Sequence, residues 1–169
     1  YFDDLRFSAL EESIEGNSIR TKKRLRWYGD SLTKNNAVLE FKKKLGVYSW
    51  KELYRNSYCI NPIAQKWTDF ILPLSNDAIL PLKKISDTPV SIVNYNREYY
   101  TSFDNKVRVT IDRNLKTYQQ TNLLRPNVTF HRKHHKTIVL EIKVSSDDSS
   151  LIREVCEDIP FNPQRFSKY

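Results

Sequence analysis

Alternation of charged and apolar positions with a period of two runs through this chain, and helical spacing is the exception. The densest stretch is 20–30, Arg-Thr-Lys-Lys-Arg-Leu-Arg-Trp-Tyr-Gly-Asp. In an extended chain successive side chains point to opposite faces. Arg20, Lys22, Arg24 and Arg26 then share one face, and Thr21, Lys23, Leu25 and Trp27 the other. After a turn at Gly29-Asp30 and a polar loop over 31–36, 38–46 repeats the pattern with Glu40, Lys42 and Lys44 on one face. Such close neighbours favour antiparallel pairing. Further strands are predicted over 48–58, 90–100, 107–112 and 137–144. In 107–112, Val107, Val109 and Ile111 oppose Arg108, Thr110 and Asp112. In 137–144, Leu140, Ile142 and Val144 oppose Val139, Glu141 and Lys143.

Helical spacing is predicted over 4–14, with Leu5, Ala9, Leu10 and Ile14 on one face, Asp3 or Asp4 as N-cap and Gly16-Asn17 as the stop. Segments 63–72 and 76–85, punctuated by Pro62, Pro73, Pro81 and Pro89, read as a helical insert against the sheet. A last helix is predicted over 149–156 behind a polar turn. Residues 115–135 read as loop-rich, leading into a basic cluster at 131–136.

Composition supports the sheet reading: ten Tyr, eight Phe and three Trp against only three Gly. At 169 residues the simplest organisation is one domain with a sizeable core. A formal charge of +8 implies an anionic partner. Cys59 and Cys156 stand alone, without metal spacing, and suit reduced thiols in a cytoplasmic protein. No run approaches the ~20 apolar residues of a membrane helix.

The cations carry the candidate chemistry. A strand with four cations on one side repels itself unless something anionic lies against it. Arg predominates where the cations are densest, and its planar fork matches phosphate oxygens. Carboxylates sit inside the basic faces, twice as Glu-x-Lys (Glu40/Lys42 and Glu141/Lys143). Carboxylates among phosphate-gripping cations are what a Mg²⁺ or Mn²⁺ ion bridging to phosphate would require. A closed barrel with a charged interior accommodates both faces; a sheet with its polar face in water is the plainer alternative.

The ordered blocks Tyr1-Phe2-Asp3, Arg24-Leu25-Arg26-Trp27-Tyr28-Gly29-Asp30, Leu39-Glu40-Phe41-Lys42, Tyr95-Asn96-Arg97, Arg108-Val109-Thr110-Ile111-Asp112, Val139-Leu140-Glu141-Ile142-Lys143 and Phe166-Ser167-Lys168-Tyr169 resemble the VTC domain. That is the polyphosphate polymerase domain of the CYTH-like triphosphate tunnel metalloenzyme superfamily. The resemblance spans essentially the whole chain. It implies an α+β fold, an antiparallel β-barrel forming a triphosphate tunnel with short helices packed outside. It also implies transfer of the terminal phosphoryl group of ATP to a polyphosphate chain, with Mn²⁺ or Mg²⁺. By position, Arg24, Arg26, Lys42, Arg108 and Lys143 would be catalytic and grip phosphate, and Arg97 would bind substrate. Lys51 and Lys168 would bind it at the tunnel ends. Glu141 matches the family's metal-binding glutamate; Glu40 would hold the metal or orient neighbouring cations. The family's first strand would precede Tyr1, so a single tunnel domain over 1–169 would be truncated at its start. Arg165 stands where the family commonly has lysine.

Three function classes follow. One is a polyphosphate polymerase or a triphosphatase on the same fold. The second is a non-catalytic module binding polyphosphate or inositol polyphosphate. The third, a nucleic-acid binder, is disfavoured because the interleaved carboxylates repel a nucleic-acid backbone. ATP, triphosphate and polyphosphate are the implied partners. A polyanionic product that needs export would suit a membrane-protein partner and membrane association through it. His131, His134 and His135 read as a solvated loop rather than a metal site, and Trp27, Tyr28, Tyr99 and Tyr100 as packing residues.

Overall fold

In the computed structural model, the described residues are 1–29, 37–58, 65–69, 87–144, 151–157, 159–160, 162, 164 and 166–168. Their contacts divide the chain into two compact units, Tyr1–Ile92 with Tyr118–His131, and Val93–Thr117 with Arg132–Lys168. Antiparallel sheets dominate, with short helices beside them.

The first unit is built on strand alternation. Strands β1 (Phe2–Asp3), β2 (Ile19–Arg26), β3 (Ala37–Leu45), β4 (Tyr48–Tyr58) and β5 (Thr88–Pro89) form one sheet in the order β4-β3-β2-β1-β5. The β2–β3 register sets Leu25 opposite Leu39 and Lys23 opposite Phe41, and β4 adds Tyr54 and Glu52 alongside. On that face Phe2, Leu39 and Phe41 are buried, with Leu25 and Tyr54 packed against them. The Phe41 and Tyr54 rings meet edge to face, centroids 5.5 Å apart. Burying side chains of this size contributes about 2 kcal/mol each, so the apolar half of the alternation makes the core. The charged half faces the other way, as the period of two requires.

Helix α1 (Ser8–Glu15) starts later than its spacing predicts, because Phe7 at the N-cap adopts left-handed backbone, φ 59°. Neither predicted acid is the N-cap, yet both serve the helix. The Asp4 carboxylate accepts from the Ser8 amide (3.1 Å), and Asp3 from the Ala9 and Leu10 amides (3.0 and 3.1 Å). Amides without intrahelical partners are thereby satisfied from upstream. Gly16, φ 77°, ends the helix as predicted.

The second sheet holds β6 (Ser91–Thr101), β7 (Val107–Gln119), β8 (Arg132–Lys133) and β9 (Val139–Val144). The Asp104 carboxylate braces the β6–β7 turn by accepting from the Ser102 hydroxyl and the Lys106 amide. Strand β7 pairs first with β9 (Arg108 opposite Lys143, Thr110 opposite Glu141) and then with β8 (Lys116 opposite Lys133). The loop predicted from residue 115 is corrected here: β7 continues to Gln119, and β8 lies within the expected loop. Asn114 adopts left-handed backbone, φ 57°, inside β7. Arg113 and Asn114 are consecutively exposed, while Asp112 and Leu115, three apart, are both buried. A residue in this conformation acts as a bulge that resets the alternation, which hides the strand's second half from a period-two reading.

Helix α2 (Leu151–Glu157) stands where the last helix is predicted. Of the expected helical insert, 67–69 is helical, 65–66 is described but not helical, and the remainder lies outside the described residues. Among the described residues no strand pairing joins the two sheets into a closed barrel, and no helix is long and apolar enough to cross a membrane.

Candidate functional site

Each unit contains a buried carboxylate held by two cations. In the first unit it is Glu40, set directly opposite Arg24 by the β2–β3 register and only 2 % exposed. Arg24 donates its Nε to Glu40 Oε2 at 2.7 Å, with Nη2 at 2.6 Å from the same oxygen. Arg26 brings its Nη2 to Oε1 at 2.7 Å. The strand period produces this arrangement: Arg24 and Arg26, two apart, project from the same face and share one acid on the neighbouring strand. Burial alone would lower the Arg24 pKa, but Tyr1 and Glu40 more than offset it and the pKa is raised.

Along the same face, the next rungs of β2, β3 and β4 bring cations and Ser49. Lys22, Lys42 and Lys51 lie directly opposite one another across β2, β3 and β4, and Arg20 lies opposite Lys44 one rung further. Like charges placed directly opposite destabilise a sheet. The Lys22 ammonium responds to this setting: burial first, then Arg20 and Lys42, push its pKa down to about 8.

In the second unit the buried acid is Asp112 of β7, 1 % exposed. Arg97 of β6 grips it with two parallel hydrogen bonds, Nε to Oδ1 (2.5 Å) and Nη2 to Oδ2 (2.7 Å). Lys168 brings its Nζ to Oδ2 at 2.5 Å. Burial raises the Asp112 pKa, but the Arg97 and Lys168 hydrogen bonds outweigh it and hold the carboxyl below its usual range. The bond to Asp112 in turn raises the Arg97 pKa. Aromatic rings surround these cations: Arg97 lies 5.3 Å from the Tyr95 centroid, and Lys168 lies 4.9 Å from the same ring and 5.7 Å from Phe166. Such rings favour the charged form of their guests.

Beside this clamp, Glu141 and Lys143 of β9 face the same way as Thr110 and Arg108 of β7. Glu141 is about half-exposed, with Lys143 Nζ 3.1 Å from Oε1 and Arg97 Nη2 3.9 Å from Oε2. Burial raises its pKa, but Lys143, Arg97 and Lys168 together leave it lowered. Among the described residues no three His, Cys, Asp or Glu side chains gather as a metal cage. A lone half-exposed carboxylate is nevertheless a fit for Mg²⁺ or Mn²⁺, which keep several waters and take one or two carboxylates with phosphate oxygens. Glu40 fits less well, since both of its oxygens face guanidinium groups.

The sequence-predicted residues therefore fall into two groups. Arg24, Arg26, Glu40, Lys42 and Lys51 share one face of the first sheet. Arg97, Arg108, Glu141, Lys143 and Lys168 belong to the second unit, where Arg97 and Lys168 converge on one acid. Asp112 stood on the Arg108 face in the sequence reading but was assigned no binding, catalytic or metal role there. Lys22 was assigned none either, although its register partner is Lys42. The histidines do not converge: His134 bonds the Thr117 hydroxyl, whereas His131 bonds the Thr129 carbonyl and lies against the Tyr118 ring. Of the two cysteines, Cys156 is a free thiol, and Cys59 lies outside the described residues.

The sequence matches the family model of the VTC domain over residues 1–169. No curated protein matches the chain.

Proposed function

The chain belongs to the VTC domain family, and on that premise we propose that it binds triphosphate and polyphosphate on its cationic strand faces and transfers the terminal phosphoryl group of ATP to a growing polyphosphate chain. The observation that carries this reading is the imbalance on β2–β4. Arg20, Lys22, Arg24, Arg26, Lys42, Lys44 and Lys51 share a face on which the carboxylate that β2–β4 contribute among the described residues, Glu40, holds Arg24 and Arg26. An anion with several negative charges in a row complements that face. The channel implied by the resemblance is part of the same proposal, supported by the division of the long strands into a charged and an apolar face.

In this reading a terminal oxygen of the polyphosphate chain attacks the γ-phosphorus of ATP. The bond from that phosphorus to the β,γ-bridging oxygen breaks, and ADP leaves with the electron pair. Catalysis of such a step is mostly positioning and charge neutralisation. Arg24 and Arg26 are pre-oriented by Glu40, so little side-chain entropy is lost when they meet phosphate oxygens. Lys42 and Lys51 neutralise the chain along its length. In the second unit Arg97 and Lys168 are held by Asp112, and Arg108 and Lys143 lie directly opposite each other. Glu141 would hold Mn²⁺ or Mg²⁺, which when bound screens the charge of the transferring phosphoryl group.

Tripolyphosphate with Mn²⁺ should raise the melting temperature, by the equivalent of about 2.7 kcal/mol at a hundred times Kd. Arg24→Ala and Arg108→Ala should each abolish the shift, and Glu141→Ala should remove its metal dependence. Equal stabilisation by an oligonucleotide would overturn the reading. Chain growth from ATP and Mn²⁺ by the full-length protein tests the transfer. Chain shortening instead would make the protein a triphosphatase, and binding without turnover a binding module.

A further inference from the structure

The two arginines of the first clamp are not held alike. Arg24 gives Glu40 both its Nε and its Nη2, whereas Arg26 brings Nη2 to the carboxylate. The Arg26 Nε is buried and has no hydrogen-bond partner among the described residues. A buried donor left without a partner is costly, so a ligand oxygen that reaches it is favoured. The other neighbour of this guanidinium is a ring: Arg26 Cζ lies 5.0 Å from the Tyr28 centroid. Expected from sequence to pack, Tyr28 is instead 67 % exposed. A guanidinium over a ring occupies one of its two faces, and the other is left to solvent. Gly29 follows in left-handed backbone, φ 89°, and a side chain built there would meet nothing within 4 Å. The Tyr28 ring therefore borders open space beside a phosphate-gripping arginine that still has a donor to give. Other exposed tyrosines lack this setting. Tyr48, 75 % exposed, pairs with Leu45 on the opposite face of the sheet. In the second unit Tyr99 lies 5.8 Å from Arg97, but that arginine gives both Nε and Nη2 to Asp112.

We propose that Tyr28 is a nucleobase-stacking residue: the base of ATP lies on the free face of its ring, and Arg26 takes the phosphate nearest the sugar through its unpartnered Nε. This rests on the polyphosphate reading above and adds where the nucleoside end of ATP sits. The two contacts belong together chemically, because one sugar separates a base from its phosphates. The triphosphate then runs from Arg26 towards Arg24 and Lys42, in the order that the β2–β3 register sets. Every base has a π-face, so stacking adds affinity without choosing among bases. The ring thereby separates a nucleoside triphosphate, the phosphoryl donor, from the bare phosphate chain that accepts.

Calorimetric titration of the full-length protein in Mn²⁺ compares three ligands: tripolyphosphate and the β,γ-imido analogues of ATP and GTP, which block transfer. Tyr28→Leu should weaken both nucleotide analogues about tenfold and leave tripolyphosphate binding unchanged. Tyr28→Trp, which keeps a stacking ring, should bind the nucleotide analogues about as tightly as the unaltered protein. Tripolyphosphate binding also reports that each variant is folded. Equal losses for nucleotide and tripolyphosphate in Tyr28→Leu would overturn the proposal, because the ring would then act only by supporting Arg26. No loss for either ligand would overturn it as well, and in both cases the polyphosphate reading stands. Failure of the unaltered protein to bind tripolyphosphate would instead remove the polyphosphate reading itself.

Discussion

The two carboxylate clamps share one principle and differ in how the chain assembles them. Glu40 and its cations come from adjacent strands, and both arginines come from the Arg24-Leu25-Arg26 triplet. Asp112 draws Arg97 from the preceding strand and Lys168 from the far end of the described chain. The first clamp forms with its strand pair; the second needs a long-range closure as well. They also differ in solvent access. The side chains of Arg24 and Arg26 are 27 % and 32 % exposed, against 22 % and 13 % for Arg97 and Lys168. Screening is therefore weaker around Asp112, and each interaction there weighs more.

The largest effect that separates them should come from Asp112→Ala. Leaving two partly buried cations without their acid costs about 3 kcal/mol, read as a lowered urea midpoint. Glu40→Ala should cost less, about 2 kcal/mol, because its arginines reach water more easily. Equal losses would mean that exposure does not distinguish the clamps. Acid gives a third comparison. The folded-state pKa of Asp112 lies below its ordinary value, so its contribution is present above about pH 4 and is lost as pH falls through the lowered value. The stability gap between the unaltered protein and Asp112→Asn should be full at neutral pH and close in acid, followed by circular dichroism. The smallest effect is expected at Lys43–Glu52, the pair on the opposite face of β3 and β4, with both side chains 32 % exposed. Lys43→Ala should cost less than about 1 kcal/mol, which sets a baseline for a pair without a buried acid.

The first clamp was the more legible in sequence for the same reasons. Its cations alternate along one strand, its acid alternates along the next, and a short connection forces the pairing, so period and proximity suffice. For the second unit, sequence supplied Arg97, Arg108, Glu141, Lys143 and Lys168 through the family blocks, and Asp112 stood in one of those blocks without a role as the acid that organises two of them. That role needs Lys168, which is remote in sequence, so neither period nor proximity reveals it. The same limit applies to α1, where Asp3 and Asp4 were recognised as capping acids. The left-handed backbone of Phe7, which shifts the helix start, has no marker in its residue type. Strand β7 was cut short for a related reason, since strict alternation ends at the bulge although the pairing does not.

That bulge has a consequence for how β7 tolerates change in length. Because Asn114 inserts a half-step into the pleat, the segment carrying Arg108 and Asp112 and the segment carrying Leu115 and Lys116 are phased independently. A single-residue deletion at 113–114 would remove the extra residue and restore plain alternation, leaving Asp112 and Leu115 both on the buried side. Deleting both residues would make Asp112 and Leu115 neighbours and turn one of them towards water. Length variants at this position should therefore tolerate the loss of one residue and reject the loss of two.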